Sequence, residues 1–179
     1  WRLYIYIMRK SISFVLLALV SLFSFNFAYG ADENKDKYKT QLNFFTGMFD
    51  WSDTKQKAGL IGIEHKNDEL FVEMENGRIS PITGAFITAN NAFYIYTGIQ
   101  AEYKLGALAI TPSFAPGYYG EGSGKDLGYP LEFKSEIQMS FDVNDNTHLG
   151  MSYNHISNAS LGNKNPGANS YMFNFLKKF

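Results

Sequence analysis

From Gln41 to the last residue, apolar and polar side chains alternate in runs separated by short polar breaks. In the clearest run, Leu131, Phe133, Ile137, Met139, Phe141 and Val143 share one parity, interrupted only by Ser135. Glu132, Lys134, Glu136, Gln138, Ser140 and Asp142 share the other. Successive side chains of a strand point to opposite faces, so this period of two predicts a strand with one apolar and one polar face. Phe93 to Tyr103 repeats the pattern: Phe93, Ile95, Ile99, Ala101 and Tyr103 oppose Tyr94, Tyr96, Gln100, Glu102 and Lys104. The same reading predicts strands over 41–50, 57–65, 79–89, 92–104, 107–117, 130–144, 147–157 and 170–179. Turn chemistry fills the breaks at Asn90-Asn91, Leu105-Gly106, Gly120 to Gly124, Asn144 to Asn146 and Asn163 to Gly167. Strand 57–65 alternates poorly, and Leu70 to Met74 reads as a ninth short strand or an irregular connection. No helical period of useful length is present.

Two all-β architectures share this pattern: a soluble sandwich or lipocalin-like barrel, and a transmembrane barrel. The strands reach the length that crosses a bilayer when tilted. Their polar face carries Glu102, Lys104, Glu132, Lys134 and Glu136, which suits the polar interior of a small barrel. Their other face is aromatic and aliphatic, and the chain closes on an alternating strand (Tyr171, Phe173, Phe175) with Phe179 at its end. The pattern therefore predicts an eight-stranded antiparallel transmembrane β-barrel of the bacterial outer membrane.

The segment before the barrel has a different character. Arg9 and Lys10 precede an apolar run, Ser11 to Phe27, and Ala28-Tyr29-Gly30 fits a small-x-small cleavage site. Residues 1–30 therefore read as a secretory signal peptide, with Trp1 to Ile7 upstream of Met8 as the start. The alternative, a membrane anchor, needs roughly 20 apolar residues, more than this run supplies. Residues 31–40 read as a flexible lead-in and 41–179 as the barrel domain. Of 16 basic residues in the 179-residue chain, Arg2, Arg9 and Lys10 lie in this leader, which leaves 13 against 17 acidic ones. A mildly acidic chain without a basic stripe argues against nucleic-acid binding. The absence of cysteine excludes thiolate metal sites and disulfides. No calcium-loop spacing or phosphate-binding glycine loop occurs, and His65 and His148 stand isolated, with a solvated structural role expected for His148. No cofactor is expected.

Even strand number puts both barrel ends on one side, the periplasm for an exported chain. The seventh predicted strand, 147–157, then runs outward and ends near the outer leaflet. On its lipid-facing parity lie Leu149, Met151, Tyr153, His155 and Ser157, with Gly150, Ser152, Asn154 and Ile156 on the lumen side. A histidine and a serine thus extend an apolar row, where polar atoms have only lipid for company. Neighbours at i and i+2 lie roughly 7 Å apart, a span an imidazole bridges to reach a hydroxyl. A base within reach of a hydroxyl is the minimum for nucleophilic acyl transfer. On spacing alone, the bland reading is a strand ending near His155, with Ser157-Asn158 opening a loop.

The stretch His155-Ile156-Ser157-Asn158-Ala159, followed by Asn165-Pro166-Gly167, resembles the PagL-type lipid A 3-O-deacylases, outer-membrane esterases with His-x-Ser-Asn-Ala near the C-terminus. Pro112 to Tyr119 and Asp126 to Ser135 look like that family's middle strands, so the resemblance covers about Ile79 to the end. It implies an eight-stranded barrel with its active site on the outer wall. It further implies Ser157 as nucleophile, His155 as general base, and an oxyanion hole from Asn158 and the backbone amides just beyond it. The family's third member is a glutamate fourteen residues after the histidine, where this chain has Asn169. Ser160 stands where the family often has glycine. Asn169 shares parity with Tyr171 and Phe173, so its amide oxygen can face His155, while Glu132 and Glu136 point into the lumen. The implied substrate is lipid A or lipopolysaccharide of the outer leaflet, with membrane lipids as neighbours and a homodimer compatible with the pattern. The competing reading is a non-enzymatic outer-membrane barrel with a structural or adhesive role.

Overall fold

The computed structural model describes residues 40–179 except 68 and 76. The expected leader 1–30 and the lead-in up to residue 39 lie outside the described residues. The strands are β1 (Thr40–Phe49), β2 (Ala58–Asn67), β3 (Val72–Met74), β4 (Gly77–Thr88), β5 (Phe93–Leu105), β6 (Leu108–Gly120), β7 (Leu131–Asn144), β8 (Thr147–Ser157) and β9 (Ala168–Lys178). Every pairing is antiparallel, in the order β2-β1-β9-β8-β7-β6-β5-β4, and β4 pairs back onto β2. Eight strands thus close a barrel, and the three-residue β3 only extends the β3–β4 hairpin. Within the stretch 70–74, only Val72–Met74 forms a strand, and it lies outside the barrel wall.

Burial is inverted relative to a water-soluble protein. Phe44, Ile95, Ile99, Ile137, Phe141, Leu149, Met151 and Phe173 face outward and are exposed. Gln41, Asn43, Glu64, Lys66, Gln100, Lys134, Gln138, Ser152, Asn154 and Asn174 face inward and are buried. A continuous apolar wall of this kind has a low-energy partner only in hydrocarbon. Inside, many of the polar groups pair with one another. The Asn43 amide donates to Asn174 Oδ1 at 2.9 Å, and Tyr96 donates to Glu64 at 2.8 Å. Lys134 Nζ lies 3.3 Å from Glu64 and 3.5 Å from Glu136.

Barrel strands of 10 to 14 residues are long enough to cross when tilted. Phe179 N–H donates to Thr40 C=O at 2.9 Å, so the barrel's first and last residues meet at one rim, here the terminal rim. The Leu105–Leu108 hairpin turns there through Gly106, whose φ of 65° suits a two-residue loop. The interior of the opposite, distal half is filled by Phe49, Leu60, Phe86, Tyr94, Tyr96, Tyr119, Leu127, Ile156 and Met172. Much of the aromatic content therefore fills the lumen and does not face lipid. His148 differs from expectation too: it is buried, with Nδ1 2.6 Å from Asp142 Oδ1. Side chains fill a barrel of this size, so substrate chemistry has to be sought on its wall.

Candidate active site

β8 runs from the terminal rim at Thr147 to the distal rim at Ser157. Its odd residues face outward, and Met151, Tyr153 and His155 are exposed while Ser157 is half-buried. The β8–β9 register sets His155 opposite Asn169, and the β7–β8 register sets it opposite Ser135. The serine that interrupts the apolar row of β7 is thus the lateral neighbour of the histidine. Ser135, His155 and Asn169 make a polar row across three strands, with Tyr153 and Tyr171 paired directly below it. Phe133 is the register partner of Ser157.

His155 Nδ1 lies 2.8 Å from Asn169 Oδ1. An amide oxygen only accepts, so Nδ1 carries the hydrogen and Nε2 keeps its lone pair. The bond also relieves both residues of unpaired polar atoms beside the apolar wall. The Cε1–Nε2 edge of the ring rests against Gly167, whose φ is 62°. A Cβ there would lie 2.8 Å from Cε1. Among the described residues Ser157 Oγ makes no hydrogen bond with His155.

Beyond Ser157 the chain turns sharply. Asn158 is fully buried, and its side-chain amide donates to Leu127 C=O at 2.7 Å and Lys164 C=O at 2.9 Å. Its backbone N–H donates to Asn165 Oδ1 at 3.0 Å, and its C=O accepts from Leu161 N–H at 3.0 Å. Both amide hydrogens of Asn158 are thus engaged in holding the loop, and none is left for a ligand. Ala159 and Ser160 follow at φ 51° and 64°, the left-handed region that non-glycine residues adopt only under constraint. Their N–H groups make no hydrogen bond among the described residues. A glycine at position 160 would take this conformation without strain.

The loop rests on its neighbour between β6 and β7. Lys164 pairs with Asp126 at 2.6 Å, and Gly128, at φ 91°, packs under Lys164 C=O. Asp126 also accepts from Gly128 N–H at 2.8 Å. Lys164 first, and then that backbone bond, hold the Asp126 carboxyl below its ordinary range. On the other flank, Asp50 accepts from Asn169 N–H at 3.3 Å and pairs with Lys125 at 2.6 Å. Asp50 has the parity of the outward-facing Phe44 and Thr46, so the alternation gave no sign that its carboxylate is buried. Glu132 and Glu136 lie on the inward face of β7, as expected, away from the imidazole.

Fold and wall define a small transmembrane β-barrel that carries a polar row on its outward face. The sequence profile of the lipid A 3-O-deacylase (PagL) family matches residues 36–178, and the chain belongs to that family, a family of outer-membrane hydrolases. The crystal structure of the outer membrane enzyme PagL superposes with a TM-score of 0.60 at 17% identity, covering 78% of this chain and 99% of that one. A de novo designed transmembrane β-barrel superposes with a TM-score of 0.53 at 11% identity, covering 80% and 98%. At these identities the two structures bear on the fold alone. No curated relative matches the chain. The protein resides in the bacterial outer membrane.

Proposed function

We propose that this protein hydrolyses the 3-O-linked acyl ester of lipid A by a Ser157–His155 mechanism on the outer wall of the barrel. The observation that carries the reading is the hydrogen bond from His155 Nδ1–H to Asn169 Oδ1, two residues from Ser157 on a largely apolar face. It leaves Nε2, on the ring edge over Gly167, with the lone pair of a base. Ser157 Oγ attacks the acyl carbonyl and gives its proton to Nε2. The tetrahedral intermediate then collapses, and Nε2 returns the proton to the departing sugar oxygen. Water, activated by the same nitrogen, releases the fatty acid from Ser157. The free N–H groups of Ala159 and Ser160 are the donors suited to the oxyanion, with Asn158 holding their loop in shape. Membrane lipids surround the rest of the wall, and exposed Tyr171 and Phe173 below Asn169 offer apolar surface to the acyl chain.

The test is the lipid A of cells expressing the native chain or Ser157→Ala, compared by mass spectrometry. Loss of the 3-O-acyl mass with the native chain alone supports the reading, and identical acylation in both samples rejects it. His155→Asn is expected to abolish hydrolysis while the barrel keeps its heat-modifiable migration on electrophoresis.

A further inference from the structure

Asn169 lies past the last residue pair of the β1–β9 ladder, Met48↔Tyr171, so β1 itself does not hold it. The corner that follows β1 does. Asp50 Oδ1 accepts from Asn169 N–H at 3.3 Å, and Trp51 N–H donates to Asn169 C=O at 3.0 Å. Two consecutive corner residues thereby take both backbone polar groups of the residue that orients His155. The Trp51 ring also packs on Tyr171, one outward position below Asn169.

Asp50 is an unusual residue for an ordinary turn. It is 1% exposed, so a carboxylate is held out of water, and its φ of 48° is left-handed. Its second oxygen is fixed by Lys125 Nζ at 2.6 Å, from the loop between β6 and β7. Lys125 Nζ lies a further 3.7 Å from Asp53. Glycine would serve the backbone better than a strained, buried acid, which calls for a role in the carboxylate itself.

We propose that Asp50 is a positioning residue for the hydrolysis, acting through Asn169. Its carboxylate, clamped by Lys125, fixes the Asn169 backbone so that the amide oxygen stays on the imidazole. The proposal rests on the Ser157–His155 reading. Displacing an orienting group by about 1 Å lowers turnover by as much as about 10²-fold without touching substrate affinity. Asp50→Gly removes the carboxylate while suiting the left-handed φ, so the barrel is retained. Asp50→Asn keeps an acceptor oxygen in the same place.

The experiment is a double-mutant cycle on the purified full chain, with lipid A in detergent micelles and folding checked by heat-modifiable migration. Asp50→Gly is expected to lower kcat by about 10–100-fold, with KM unchanged and Asp50→Asn recovering most of the loss. In an Asn169→Ala background, Asp50→Gly is expected to lower kcat by less than about threefold, because residues acting through one another are not additive. Equal losses in both backgrounds, or native kcat in Asp50→Gly, overturn the proposal. Ser157→Ala is run alongside. Native activity in that variant overturns the Ser–His reading itself, whereas an inactive Ser157→Ala with a fully active Asp50→Gly overturns only the role of Asp50.

Discussion

His155 and Asn169 face each other across the β8–β9 ladder, with Nδ1 2.8 Å from the amide oxygen. The register alone brings them together, since they are fourteen positions apart in sequence and directly opposed in space. The amide fixes the imidazole tautomer but brings no charge to stabilise the imidazolium that forms during proton transfer.

Charge and orientation can therefore be separated at position 169. In a serine protease, changing the triad Asp to Asn lowers kcat by about 10⁴-fold through the wrong tautomer. Here the tautomer is already the productive one, so only the charge is missing. Asn169→Glu is expected to raise kcat by about tenfold or more, the range a well-placed charge contributes to a proton-transfer step. Asn169→Ala, which loses orientation as well, is expected to lower it. Steady-state deacylation of lipid A by the three forms checks both; an Asn169→Glu form slower than native would show that the site is shaped around the amide.

Gly167 supports the other side of the ring. A methyl group there meets a left-handed φ of 62° and a Cε1 atom at 2.8 Å. Gly167→Ala is expected to destabilise the barrel by about 1–2 kcal/mol from the backbone conformation. It is also expected to slow deacylation by about 10²-fold by tilting the imidazole. Gly59→Ala is the matched control, since nothing lies within 4 Å of its Cβ position. Urea unfolding in detergent and the deacylation rate report the two effects separately, and a Gly167→Ala protein with native kcat would refute the packing argument.

Alternation made the barrel legible, because each core strand has one lipid-facing and one lumen-facing parity. It failed where side chains are missing: in β2 Gly59 interrupts the outward row and Gly62 the inward one, where the Phe45 ring packs over the Gly62 backbone. Aromatics misled in a different way. Phe49 and Phe86 point inward and pack against each other and against Tyr119 and Tyr94, which a simple apolar-outside reading does not anticipate. At the candidate site, the meeting of His155 with Asn169 was readable from their shared outward parity. The corner residue Asp50 was not, because its partner Asn169 lies 119 residues away and they meet only when the barrel closes. Ser135 could have been found: it is the single polar break in the row of β7, and such breaks on a lipid-facing face call for a polar neighbour.

Lys134 is the charge on which the middle of the lumen depends. It is buried between Glu64 and Glu136, with its ammonium 4.0 Å from the Tyr96 ring centroid. Lys134→Met leaves two carboxylates facing each other without a cation. Breaking a buried pair in this way destabilises by about 3–5 kcal/mol. Replacing all three charges together, as Glu64→Gln, Lys134→Met and Glu136→Gln, is expected to recover most of that loss. Urea unfolding midpoints of the two variants decide it: equal destabilisation would mean that the lumen network contributes packing and not charge balance.

The clamp between the two distal loops depends on pH. Asp126 is held below its ordinary value, set first by the Lys164 ammonium and then by Gly128 N–H. A carboxyl with a depressed folded-state value stabilises the folded loops at pH above its unfolded value, near about 4. That contribution disappears as pH falls through the lower, folded value. Both partners are more than half exposed, at 55% and 53%, so salt screens the pair and its effect stays local. The expected outcome is that residues 125–130 and 160–166 become more susceptible to an acid-active protease on going from pH 5 to pH 3, while the strands stay protected. Asp126→Asn should show the loosened pattern already at pH 5. A loop equally resistant at both pH values, or an Asp126→Asn protein indistinguishable from native at pH 5, would show that the Asn158 and Gly128 contacts hold the two loops together without the ion pair.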